Sequence, residues 1–332
     1  ELRKLLVDDI FGLDADEEAC RVAELSLSLT LLDYIDPPDL SKTRFQLPNL
    51  HNKNIFHREG GFFDEDSSWA KCIPKKGYDW IVGNPPWKNK EKYEDDKLCD
   101  QEALHWINTN RKQYPVDNYQ TAEAFAWKTT QLLAEDGHCG FLMPAKTLFK
   151  KQGDKFRAKF FSQIETWCVV NFANIRRYLF EKAVNPAAAF FYSGKKDWDK
   201  SRHYITTYAP FAIEQSSQLK RRSNYKKMWS VFVNYSTIKE IPLRDVKDGS
   251  AVPWKTAMWG THRDKLFIDY FLHNSSNLKK LKKKYNLEIQ QGPALRLKNS
   301  EEDVEFISEL EGKDFFDVKR VKGEKHLFSI PE

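Results

Sequence analysis

Residues 84–87 read Asn-Pro-Pro-Trp, and these residue types side by side can perform a specific piece of chemistry. An amino group on an aromatic base is a poor nucleophile because its lone pair is delocalised into the ring. The Asn84 side-chain oxygen and the Pro85 carbonyl can accept both N–H bonds of such a group and draw its nitrogen towards a tetrahedral shape. The prolines hold both acceptors still at little entropic cost. Trp87 offers a flat face for the base, a contact worth about 1–3 kcal/mol. Neither a metal nor a general base is needed before a group is transferred to that nitrogen. The plain alternative is a strand-to-loop turn with a core tryptophan.

The turn must be positioned by the run before it, "YDWIVG" (78–83), an apolar strand. Proline cannot donate to a ladder, so the strand ends near Gly83 and holds the turn at its carboxyl end, where open α/β sheets bind ligands. Strand-like and helix-like signals alternate over the first 200 residues, the rhythm of βαβ units. "DIFGLDAD" (9–16) is a short strand ending in acids, and Asp16 reads as the cap of a helix with Glu17 and Glu18 in its first turn. Val22, Leu25, Leu29 and Leu32 lie at helical spacing, and Pro37-Pro38 stop that helix. Residues 121–137 are predicted as a helix closed by Gly137, 139–144 as a buried strand and 147–161 as a helix that tolerates Gly153. Strands at 166–172 and 186–194 complete the series.

The 332 residues are 41% hydrophobic and 14% aromatic, enough for a sizeable core and about two domains. Cys20, Cys72, Cys99, Cys139 and Cys168 show neither CxxC pairing nor metal-ligand spacing, which predicts unpaired thiols in a reducing compartment. No signal-peptide layout opens the chain, and no apolar run reaches the roughly 20 residues a bilayer demands. A soluble cytoplasmic protein, with no membrane partner, is the expectation. Residues 1–200 carry 29 Lys and Arg against 31 Asp and Glu, whereas 219–298 carry 18 against 6. A basic region beside a near-neutral one points to an anionic partner for that region alone, or to a solvated basic face. Boundaries are expected near 200 and, at the linker-like "RDVKDGSAVP", near 245. That divides the chain into 1–200, a basic and aromatic connecting segment 201–245, and 246–332.

"VGNPPW" resembles the catalytic motif of N6-adenine DNA methyltransferases of restriction-modification systems, an Asn or Asp followed by two prolines and an aromatic. The order of the other segments is similar to that family's as well. "IFGLDADEEACRVAELSLSLTLL" resembles its second cofactor motif, "DGHCGFLMPAKTLF" its Met-Pro turn, and "NIRRYLFEKAVNPAAAFFYSG" its late hairpin. The resemblance covers roughly residues 1–200. It implies a Rossmann-like α/β methyltransferase sheet followed by part of a DNA target-recognition domain. It also implies S-adenosylmethionine as cofactor, flipped adenine in double-stranded DNA as substrate, and any nuclease lying outside this chain.

Carried over residue by residue, the resemblance makes Asn84 and Pro85 the acceptors, with Pro86 stiffening the turn. Trp87 and Phe180 would sandwich the base. Asp14 would bind the cofactor's ribose hydroxyls, and Asp64 would stand in for the acid that contacts the cofactor's adenine, since Gly61 occupies the expected position. The basic residues Lys220, Arg221, Arg222, Lys226, Lys227, Lys279, Lys280, Lys282, Lys283 and Lys284 would contact phosphates. "WGTHRD" (259–264) and "QQGPALR" (290–296) resemble recognition loops. The family's Gly-rich cofactor loop has no counterpart in the 13 residues before Asp14, so the chain reads as part of a longer protein and is expected to bind cofactor weakly or not at all, and to be inactive, by itself. Two other readings stay open: a non-catalytic DNA-binding subunit on the same fold, and a methyltransferase acting on protein glutamine or RNA.

Overall fold

A computed structural model describes residues 2–35, 46–64, 73–89, 97–180, 185–195, 203–214, 229–274, 284, 315–321 and 324–329. The chain divides into two units, Glu1–Tyr270 and Phe271–Glu332. The first unit is built on a six-stranded mixed sheet in the order β10-β7-β5-β6-β4-β3. Its strands are β3 (Tyr78–Gly83), β4 (Leu133–Pro144), β5 (Ile164–Asn171), β6 (Ala187–Lys195), β7 (Tyr204–Tyr208) and β10 (Ile238–Pro242). β3 pairs parallel with β4, and β5 parallel with β7, while the other neighbours run antiparallel. A separate parallel pair, β1 (Gly12–Asp14) and β2 (Ile55–His57), forms its own small sheet, and β8 (Phe211–Glu214) pairs antiparallel with β9 (Trp229–Phe232). The second unit contains the antiparallel hairpin of β11 (Phe315–Val321) and β12 (Glu324–Ser329).

Period-two alternation explains how the main sheet buries one face. In β4, Cys139, Phe141 and Met143 are buried and His138, Gly140 and Leu142 half-buried; in β6, Phe190 and Tyr192 are buried and Phe191 and Ser193 half-buried. The buried face packs against helix Thr121–Thr129, through Ala122, Ala126 and Trp127, and helix Asp154–Gln163, through Phe156, Phe160 and Phe161. Trp127 meets Phe156 and Phe160 edge-on at 5.9 and 5.0 Å, an arrangement that suits the ring quadrupoles. β1, β2 and the helices Leu2–Asp8 and Glu17–Asp33 have a core of their own, made of Leu6, Cys20, Leu31, Leu50 and Ile55.

Several local expectations need correction. Helix Glu17–Asp33 is capped by Asp16 as predicted, its carboxylate accepting from Glu18 N and Ala19 N. Its core stripe, however, is Cys20, Ala23, Leu27 and Leu31, whereas Val22, Leu25 and Leu29 are exposed. The sequence carries two apolar stripes, and spacing alone cannot say which one faces the small sheet. The helix from Thr121 stops at Thr129, whose hydroxyl bonds back to the Phe125 and Ala126 carbonyls. Gly137 is therefore no helix cap: it lies in a register shift of β4, where an added Cβ would meet the Tyr78 carbonyl at 2.5 Å. Gly153 separates a helical turn (Lys146–Phe149) from helix Asp154–Gln163. The stretch near 245 runs from a helical turn at Leu243–Val246 through the non-helical residues 247–251 into the helix Val252–Trp259. Cys20, Cys99, Cys139 and Cys168 are free thiols. Among the described residues no helix is long and apolar enough to cross a membrane.

Candidate functional site

β3 delivers its turn as the prolines require. The strand ends at Gly83, Pro85 is buried, and Asn84 and Pro86 face solvent. Three contacts hold the turn from behind. The Trp87 indole N–H donates to the Leu142 carbonyl of β4 at 3.3 Å. The Lys88 carbonyl accepts from both the backbone N–H of Thr121 (2.9 Å) and its hydroxyl (3.2 Å). The Lys88 ammonium pairs with the buried Asp100 carboxylate of helix Leu98–Asn110.

In front of the turn lies a cavity of about 490 Å³, bounded on one side by β1 and on the other by β3. Asp14, Asn84, Pro85 and Pro86 all line it, which joins residues 70 positions apart at the carboxyl ends of two strands. Asp14 is exposed, and one of its carboxylate oxygens accepts the Asp16 N–H at 2.8 Å. The floor is aromatic. Phe62 stacks on Phe125 at 4.7 Å with an interplanar angle of 12°, and Phe63 meets Phe125 edge-on at 4.8 Å. The buried Lys128 ammonium lies 5.6 and 5.2 Å from the centres of these two Phe rings and adds a cation–π attraction.

Other predicted residues lie elsewhere. Trp87 packs half-buried against the main core and Phe180, 40% exposed, follows the turn Arg176–Leu179; neither lines the cavity. Asp64 ends the turn Gly61–Phe63 and also lies outside the lining. Gly61 does line it, with φ +65°, and an added Cβ would sit 2.9 Å from the Cys99 Cβ. A side chain at this position would be strained and crowded in the loop as it stands. Lys220, Arg221, Arg222, Lys226, Lys227, Lys279, Lys280, Lys282 and Lys283, and the stretch 290–296, fall outside the described residues; Lys284 is helical and exposed. In 259–264, Trp259 packs on Phe149 at 4.8 Å, and the Asp264 carboxylate accepts from Thr261 N–H and hydroxyl. Those two bonds hold the Asp264 carboxyl below its ordinary pKa.

Sequence reasoning overlooked Phe62, Phe63 and Phe125, because the "GGFF" stretch was read for its missing acid. It also overlooked Asp100, Thr121 and Glu123, polar residues whose burial leaves no periodic signature.

Residues 8–177 match the family model of the Eco57I restriction-modification methylases, and the chain belongs to that family. No curated protein sequence matches significantly. Solved structures similar to the chain include a nuclease-deletion mutant of the type ISP restriction-modification enzyme LlaGI with a DNA substrate mimic, at 12% identity and a TM-score of 0.47, covering 62% of this chain and 18% of that one. The type IIL enzyme MmeI in complex with DNA is similar at 15% identity and a TM-score of 0.41, over 61% of this chain and 26% of that one. The M protein of the type I enzyme EcoKI gives 13% identity and a TM-score of 0.38, over 60% and 35%. The chain thus spans between 18% and 35% of the length of these three.

Proposed function

We propose that this chain is the catalytic part of an S-adenosylmethionine-dependent methyltransferase acting on the adenine amino group of double-stranded DNA. The observation that carries the reading is the convergence of Asp14 and the Asn84-Pro85 turn on one aromatic-floored cavity. Its volume falls within the roughly 300–1,000 Å³ usual for small-molecule sites. The donor set suits the cofactor: an acid for a pair of hydroxyls beside Phe rings for a purine. When bound, S-adenosylmethionine supplies an electrophilic methyl group. The chain's own residues do the rest. Asp14 fixes the ribose, and the Asn84 amide oxygen and Pro85 carbonyl accept the two N–H bonds of the target nitrogen. Trp87, half-buried against the main core and fixed at its edge by the Leu142 carbonyl, anchors the turn that carries the two acceptors. Catalysis then rests on positioning and on fixed dipoles aimed at the nucleophile.

The test is transfer of a labelled methyl group to duplex DNA by the full protein carrying this chain. Asn84→Ala is expected to lower kcat by at least about 10²-fold, the scale for losing one fixed hydrogen-bonding group at a reacting centre. Equal transfer by wild type and variant would remove the site. Labelling of RNA or protein glutamine in place of DNA would replace the substrate.

A further inference from the structure

Behind the cavity is a buried carboxyl group that the proposed chemistry does not use. Glu123 is 1% exposed in the first turn of helix Thr121–Thr129. One of its oxygens accepts the Asp117 backbone N–H at 2.6 Å, and the other accepts the Thr147 hydroxyl at 3.0 Å. It therefore joins three segments: the loop before its helix, the helix itself, and the turn that follows β4. The Thr147 end is anchored in turn. The Thr147 carbonyl accepts from the guanidinium of Arg157, itself 1% exposed, at 2.8 Å, and Arg157 also donates to the Gly249 carbonyl at 2.8 Å.

The loop held by Glu123 is strained. Asn118 and Tyr119 both have positive φ, 43° and 55°, in succession and without a glycine. Such backbone persists only where its surroundings over-determine it. The strain has a destination, because two residues further on Thr121 donates twice to the Lys88 carbonyl, immediately after Trp87. The path from Glu123 to the turn is continuous: Asp117 N–H, the left-handed pair, Thr121, Lys88, Trp87.

We propose that Glu123 is a positioning residue for the methyl-transfer site, clamping the 117–120 loop so that Thr121 holds the Asn84-Pro85-Pro86-Trp87 turn in place. The inference rests on the function proposed above. Glu123 lies outside the cavity lining and acts through the turn.

The experiment compares Glu123→Ala, Glu123→Gln, Thr147→Val and Asn84→Ala in the full protein, by labelled methyl transfer to duplex DNA well below each melting temperature. Glutamine can accept the Asp117 N–H and donate to the Thr147 hydroxyl, so Glu123→Gln is expected to keep kcat within about threefold. Glu123→Ala is expected to lose up to about 10²-fold in kcat, the cost of misplacing reacting groups by about 1 Å, with KM for DNA nearly unchanged. Thr147→Val removes one donor from the clamp and is expected to lower kcat several-fold; it carries the test if Glu123→Ala does not fold. Unchanged kcat in both Glu123→Ala and Thr147→Val, or a Glu123→Gln as poor as Glu123→Ala, overturns the positioning role. The proposed function fails separately, if Asn84→Ala transfers methyl as well as wild type.

Discussion

At the scale of single residues, the buried polar groups carry the sharpest consequences. Burial pushes the Glu123 carboxyl up to about 8, against the nearby Asp117 N–H, Thr147 hydroxyl and Arg157 charge, which favour ionisation. Its ordinary value is 4.5, so the folded-state pKa lies above the unfolded one. The stability this group contributes is therefore fully present below pH 4.5 and is lost as pH rises towards 8, at a slope of up to about 1.4 kcal/mol per pH unit. Urea melts at pH 5 and pH 8 check this: wild type is expected to lose more stability than Glu123→Gln over that interval. A loss as large in the variant would assign the pH dependence to other groups. Gly249 supplies a second prediction. Its φ is +75°, and an added Cβ would lie 2.0 Å from the Asp154 carbonyl oxygen. Gly249→Ala is expected to destabilise by at least about 2 kcal/mol, seen as a lowered Tm. An unchanged Tm would mean that the backbone around Asp154 yields freely.

Elements were legible where covalent chemistry dictates them and obscure where tertiary packing does. β3 could be placed because Pro85 and Pro86 must end it, and the Asp16 cap because the short acid and the two glutamates that follow leave few other structures. Asp14 and the Asn84 turn were both recognisable, but their meeting across one cavity depends on β1 and β3 facing each other, which no local pattern encodes. The inward stripe of helix Glu17–Asp33 was misplaced because both stripes are apolar. The Phe62–Phe125 stack joins residues 63 positions apart and had no signal at all. At this scale the expectation concerns β1 and β2, three residues each on a small separate core. Their amides should exchange with deuterium well before those of β4 and β6, since short ladders over few buried apolar groups open locally. Equal protection would show that the two cores open together.

For the molecule as a whole, β3 lies at the edge of the six-stranded sheet, with Trp80 and Val82 exposed at 62% and 78%. Among the described residues the strand that presents the candidate catalytic turn thus has one ladder, to β4, and the turn is held further by Trp87, Lys88 and Thr121. β3 packs on the main core, whereas β1 pairs with β2 beside the small one, and the Phe11–Tyr78 ring pair at 6.3 Å is one contact that bridges them.

That division gives the ligand a mechanical role. Under the proposed function, a molecule spanning from Asp14 to Asn84 ties together two parts with separate buried clusters, and it acts as a rivet across a seam. A ligand that binds only the folded state stabilises it by about 2.7 kcal/mol at a hundredfold excess over Kd. Among the described residues β1 and β2 stand beside the smaller cluster, so cofactor binding is expected to be reported first by slowed amide exchange in these two strands.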